Sequence, residues 1–231
     1  MNRQQRLVLI VSILASFVAF LDSSVVNVAL PAINRSLGGG LVTQQWVVDA
    51  YLITLGSLIL LAGSLSDLFG RKKVLAYGLV GFAASSILCA IAPDSTFLII
   101  VRGLQGIAGA LLVPSSLAMI ISSFSHKEQG KAIGNWTAWT GISFIIGPLL
   151  GGFLVDTFSW RLIFAINILP IALCLWLMRL LEQPEQTKNV NIDIVGAVFC
   201  SLGLGGAVFG LIEQPHFGWG SPIIFVPLIA G

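Results

Sequence analysis

The sequence predicts an all-α polytopic membrane protein, and three observations carry that expectation. Of its 231 residues, 56% are hydrophobic and only 10% charged, with mean hydropathy +0.96; soluble domains carry about 25% charged residues. Apolar runs recur near 7–31, 45–66, 74–92, 97–121, 131–155, 161–181 and 192–212, and an eighth starts at Pro222. Each is close to the ~20 residues that a helix needs to cross a bilayer. Finally, the basic residues alternate. With the N-terminus cytoplasmic, Arg3, Arg6, Arg71, Lys72, Lys73, Lys127, Lys131, Arg179 and Lys188 face inward, and only Arg35 and Arg161 face outward, as the positive-inside rule requires. Alternation of period two is absent, so the spans are helices and not barrel strands.

The first run carries an anomaly. Fifteen Leu, Ile, Val or Phe residues between Leu7 and Leu30 favour insertion by about 4 to 9 kcal/mol. Asp22, inside it, costs about 2.5 to 3.5 kcal/mol on the same scale. At 1.5 Å per residue it lies roughly 13 Å below the outer end of the span. Ser12, Ser16, Ala19, Ser23 and Asn27 form a small, polar stripe with Asp22 at its edge. Such a stripe faces protein or water. The second run carries Asp49 near its start and ends in GSLSDLFGRKK (63–73). There Gly63 allows close helix approach, Asp67 suits the start of the next helix as an N–H acceptor, and Gly70 suits the turn. Arg71, Lys72 and Lys73 hold the loop inside. The loop reads as a cytoplasmic latch, in which Asp67 and Arg71 make charged contacts that break as the halves move; a plain topogenic turn is the alternative.

The third run contributes Cys89, a packing residue like Cys174 and Cys200. In the fourth, Arg102, Gly106, Gly109 and Val113 share one helical face, so the arginine points into a bundle or snorkels to the interface. In the fifth, Gly147 and Gly151 form G-x-x-x-G, and Pro148 and Gly152 are also four apart, a tight-packing surface with a residue that can bend the helix. The sixth run leads into a polar stretch. The expected division is a six-span unit over 1–181, a cytoplasmic linker over 182–191, and a seventh span with the start of an eighth over 192–231. GSLSDLFGR (63–71) and GFLVDTFSWR (152–161) match at Gly63/Gly152, Leu65/Leu154, Asp67/Asp156 and Phe69/Phe158. Each follows the second span of a three-span unit, the pattern of an inverted 3+3 repeat.

These motifs resemble those of the major facilitator superfamily. G-x-L-x-D-x-x-G-R-K at 63–72 resembles its cytoplasmic loop motif, with Leu68 where many members carry a basic residue. Arg102, Gln105 and Gly106 resemble its fourth-span motif. GPLLGG (147–152) resembles the end of its antiporter motif, and LDSSVVNVALPAI (21–33) resembles the first-span motif of the 14-span drug–proton antiporter branch. The resemblance implies a six-helix N-terminal transporter half, and a proton-coupled efflux antiporter of drugs or other small organic molecules in the bacterial inner membrane.

On the residues, Asp22 and Arg102 are the expected proton-coupling pair beside a central cavity. The alternative for Asp22 is a structural hydrogen bond. Asp49, Asn27 and Gln105 are the candidate contacts for a cationic or hydrophobic substrate. Gly63, Asp67, Gly70 and Arg71 are the candidate gate, and Gly147, Pro148, Gly151 and Gly152 the candidate antiporter element. No phosphate-binding G-x-x-x-x-G-K-[ST], metal-ligand spacing, catalytic cluster or nucleic-acid patch occurs. The expectation is therefore no enzyme and no cofactor, with the proton gradient as driving force. PIIFVPLIAG closes the chain inside an apolar run, so an N-terminal portion of a longer transporter is expected. The rival is a non-transporting membrane fragment, or a half-transporter needing a separate second half.

Overall fold

A computed structural model describes residues 1–182 and 194–230. The helices are α1 (Arg3–Leu37), α2 (Gly40–Phe69), α3 (Arg71–Ala90), α4 (Ser95–Ser123), α5 (His126–Thr157), α6 (Leu162–Ala165), α7 (Ile168–Arg179), α8 (Ile194–Phe217) and α9 (Pro222–Ala230). Helices α6 and α7 make one span, tightened by a turn at Ile166–Asn167. Six helical segments in the first 180 residues are long and apolar enough to cross a membrane. The protein is an integral, multi-pass, all-α membrane protein. The 182–191 linker falls almost wholly outside the described residues.

The helices run past the apolar segments because caps, not hydropathy, end them. Asn2 caps α1: its Oδ1 accepts from Gln5 N at 2.7 Å, and Gln5 Oε1 accepts from Asn2 N at 2.9 Å. The helix passes through Pro31 and stops at Gly38, whose φ of 74° is left-handed. Its 35 residues reach about 52 Å, well beyond a hydrocarbon core. Asp94 caps α4 by accepting from Phe97 N at 2.8 Å.

Helix α1 packs on α4 and α5, and α4 also packs on α2 and α3. Glycines set these distances. A side chain at Gly106 would meet Tyr51 O at 2.4 Å, and one at Gly147 would meet Ser24 Oγ at 2.5 Å. Two apolar clusters fill the bundle. One surrounds Val11, Leu79, Leu112 and Cys174. The other, towards the opposite end, surrounds Val26, Ile33, Leu98 and Phe164. Helix α8 lies against α2 and α9.

The two matched loops sit at opposite ends of the bundle. Arg71 donates to Ala118 O near the end of α4, at 3.0 Å. Arg161 donates to Ala90 O and Ala92 O at the end of α3, at 3.1 and 2.8 Å. Each uses a cation on helix-terminal carbonyls, which the helix dipole favours.

A buried ion-pair network as candidate functional site

Three of the sequence-selected residues meet in the interior. Asp22 (α1), Arg102 and Gln105 (both α4) are buried, at 0%, 1% and 0% exposure. Burial of Asp22 follows from helix periodicity. Its buried face runs Val8, Val11, Ala15, Val18, Asp22, Val25, Ala29, Ile33. Steps of four drift about 40° each. Ser12, Ser16 and Ala19 of the expected stripe are buried, but Ser23 is only partly buried and Asn27 is exposed, and the continuous buried face passes through Asp22.

Arg102 Nη1 donates to Asp22 Oδ2 at 2.5 Å and to Gln105 Oε1 at 2.7 Å, while its Nε donates to Val47 O at 3.0 Å. Gln105 Nε2 donates to Asp22 Oδ1 at 3.1 Å and to Ser86 Oγ at 2.9 Å. Arg102 Cζ stands 4.2 Å from the Tyr51 ring centre and 5.8 Å from that of Phe164, close enough for cation–π attraction. Tyr51 is fixed in turn by donating to Ala19 O at 3.2 Å.

Asn167 completes the network and was not selected from sequence. Its Nδ2 donates to Asp22 Oδ1 at 2.8 Å and contacts Ser86 Oγ at 3.4 Å, while its Oδ1 has no partner. Ser86 and Tyr51 were also missed. The usable signal was Asn167 itself, an amide inside an apolar span, which is costly unless bonded across helices. Both carboxylate oxygens of Asp22 thus accept bonds, and charges from α1 and α4 are tied to polar groups of α2, α3 and the sixth span. The pair and its partners form a polar network buried among these helices. Apolar residues of the second cluster close it: Val25, Val47, Val101 and Phe164 are all buried.

The candidate substrate contacts separate. Gln105 belongs to the network. Asn27 is exposed and donates to Ser23 O of its own helix at 2.9 Å; it does not reach the pair. Asp49 is partly buried, within electrostatic range of Glu213 and His216 of α8. His216 lies in α8, is exposed, and contacts Gln45 Oε1 at 2.8 Å.

The loop residues at 63–71 also differ in part from expectation. Asp67 does not cap α3. Its Oδ1 accepts from Arg71 Nη2 at 3.1 Å and from Nε at 3.3 Å, because residues four apart on a helix face each other. Gly70 takes the turn at φ 95°. Nothing lies within 4 Å of a Cβ built on Gly63, so it sets no close approach. In the fifth span, Gly147 and Gly151 press on Ser24 and Val25 of α1, two and three residues from Asp22. Gly152 and Pro148 depart from the expected tight-packing surface: Gly152 has open space and Pro148 is exposed, because each lies one residue, about 100°, off the face that Gly147 and Gly151 present to α1.

The sequence model of the Major Facilitator Superfamily matches residues 12–230. The multidrug resistance protein Stp of Mycobacterium tuberculosis is 40% identical over 223 residues, covering 96% of this chain and 42% of that protein. The puromycin resistance protein pur8 of Streptomyces alboniger is 38% identical over 226 residues, 96% of this chain and 44% of that protein. The methylenomycin A resistance protein of Bacillus subtilis is 38% identical over 227 residues, again 96% of this chain and 48% of that protein. The chain therefore spans less than half the length of these relatives. Two solved folds are similar. A peptide transporter POT in complex with sulfate has TM-score 0.72 at 15% identity, covering 99% of this chain and 49% of that one. A bacterial homolog of the human lysosomal transporter Spinster, inward-facing and occupied, has TM-score 0.69 at 19% identity, covering 99% and 58%. Helical architecture, the matched span and these relatives agree: the chain belongs to the Major Facilitator Superfamily.

Proposed function

We propose that this chain forms the N-terminal portion of a proton-coupled efflux antiporter for small, antibiotic-like organic molecules, with Asp22 as the proton-coupling carboxylate. The observation that carries the proposal is the ion pair between Asp22 and Arg102, buried inside the helical bundle. A buried charge pair is expensive, and replacing it with apolar side chains often stabilises a protein. Its presence therefore fits a working role. In the closed network Arg102 holds Asp22 ionised. A motion that carries α4 or the sixth span away from α1 leaves the carboxylate without its donors in an apolar surround, where binding a proton is the cheapest relief. Return of the guanidinium then expels the proton. Opening towards different sides for uptake and release gives alternating access.

The orientation proposed places the N-terminus and the Asp67–Arg71 loop in the cytoplasm of a bacterial inner membrane, with Arg71 as the gate residue. Gly147 and Gly151 serve as the surface on which α5 moves against α1. The chain is not an enzyme, needs no cofactor, and is driven by the proton gradient. The relatives' names support small-molecule export and leave open the charge of the substrate.

A second reading is favoured by one observation: both oxygens of the buried carboxylate accept bonds from side chains of neighbouring helices. On that reading the pair pins α1 to α4 and carries no proton. Reconstitution into liposomes with an imposed pH gradient and a trapped pH dye tests both. Substrate-dependent proton flux that disappears in Asp22→Asn, with the helical fold retained, is the expected result. Equal flux in the variant refutes the coupling role. Flux that appears only when a second six-span half is co-reconstituted assigns transport to the assembled pair.

A further inference from the structure

We propose that the junction of α2 and α8 is a binding site for a primary organic ammonium ion, with Glu213 and Asp49 as its anionic partners and Trp46 and Phe209 as its aromatic wall. The site stands apart from Asp22 and needs no proton coupling. Helix periodicity assembles it. Gln45 and Asp49 lie four apart on α2, and Phe209 and Glu213 lie four apart on α8, so each pair shares a helix face. The two faces meet. The Trp46 and Phe209 rings lie 6.5 Å apart, and His216 Nε2 contacts Gln45 Oε1 at 2.8 Å. Helix α8 comes this close because it presents glycine: a side chain at Gly205 would meet Ser57 Cβ at 2.9 Å.

Charge points to a cation. Glu213 is 2% exposed, and its Oε1 has no hydrogen-bond partner. Its Oε2 lies 3.5 Å from His216 Nδ1, beyond ordinary hydrogen-bond length. Asp49 is within electrostatic range. The helices packed against α8 are α2 and α9, and none of the three carries a lysine or arginine. Two carboxyl groups therefore converge without a Lys or Arg partner, and burying one of them unpaired is costly. The chemistry favours an ammonium over a metal. No group of three or more metal-ligating side chains occurs among the described residues. Glu213, Asp49 and the Gln45 amide oxygen offer three acceptor groups, and a primary ammonium has three N–H donors. Aromatic faces beside the carboxyl groups attract the charge of an organic cation. The exposed His216 is the cover. The ammonium takes its place against Gln45 and Glu213, entering where Asp49 is partly exposed.

The test is equilibrium binding of radiolabelled 2-phenylethylammonium to the chain in nanodiscs of zwitterionic lipid, with neutral 2-phenylethanol as the comparison. The ammonium should bind saturably at one site and the alcohol should not. Glu213→Gln should weaken the ammonium about tenfold or more, and Trp46→Leu about threefold to tenfold, with helical content by circular dichroism retained. If Glu213→Gln loses helical content, Asp49→Asn, at the partly exposed edge, carries the same test and should weaken binding about threefold or more. Three results overturn the proposal: no saturable binding of the ammonium, equal binding of the alcohol, or native affinity in the folded carboxyl-to-amide variant.

Discussion

Two aspartate–arginine pairs in this protein have nearly the same chemistry and opposite surroundings. Asp22 and Arg102 sit on different helices, with 0% and 1% of their side chains exposed. Asp67 and Arg71 sit one turn apart, with 52% and 30% exposed. Water screens the second pair, and such pairs contribute about 0–1 kcal/mol. The first has lost its hydration, so its attraction is strong and its separation costly. The difference shows that the same two residue types make a weak surface tether in one place and a strong interior pair, costly to separate, in another. Burial decides which.

The largest effect should come from breaking the buried pair on one side. Arg102→Ala leaves Asp22 without its cation and should cost about 3–5 kcal/mol, read as a lower thermal transition in detergent. Asp22→Asn combined with Arg102→Gln should recover much of that loss, because a neutral pair needs no counter-charge. Failure of this rescue would show that geometry, not charge, holds the helices there. A middle-sized effect is expected at the α1–α5 contact. Gly151→Ala places a methyl 2.7 Å from Val25 Cγ2 and should cost about 1–3 kcal/mol. Gly152→Ala, in open space, should stay within about 0.5 kcal/mol. The smallest effect is expected at the exposed pair. Asp67→Asn should cost about 0.3–0.5 kcal/mol, and less in high salt. A loss at Asp67 as large as that at Arg102 would mean that the loop is desolvated by contacts beyond this chain.

Helix number and class were legible because hydropathy over a span is a sum of many small terms in the same direction. Asp22 and Arg102 were legible as a pair because each is too costly inside a membrane to stand alone. Their dryness was not. It depends on Val47, Val101 and Phe164 closing over them, a three-dimensional fact that no spacing records. Asn27 was misplaced by stepping in fours along a helix of 3.6 residues per turn. Asn167 was passed over as one polar residue in an apolar run, although a single amide at that depth points to a bonded partner. The Glu213–His216 contact was missed because the seventh run was expected to end at 212, whereas α8 continues to Phe217.

The aromatic rings beside Arg102 bear on how fast the network can change. Tyr51 at 4.2 Å and Phe164 at 5.8 Å flank its guanidinium carbon, and the guanidinium also donates to Asp22 and to Val47 O. Its departure therefore breaks contacts to α1, α2 and α6 together. Side-chain rotation takes picoseconds to nanoseconds, whereas collective helix motion takes microseconds to milliseconds. Separating the pair thus calls on the slower class of motion, and any cycle built on it inherits that tempo.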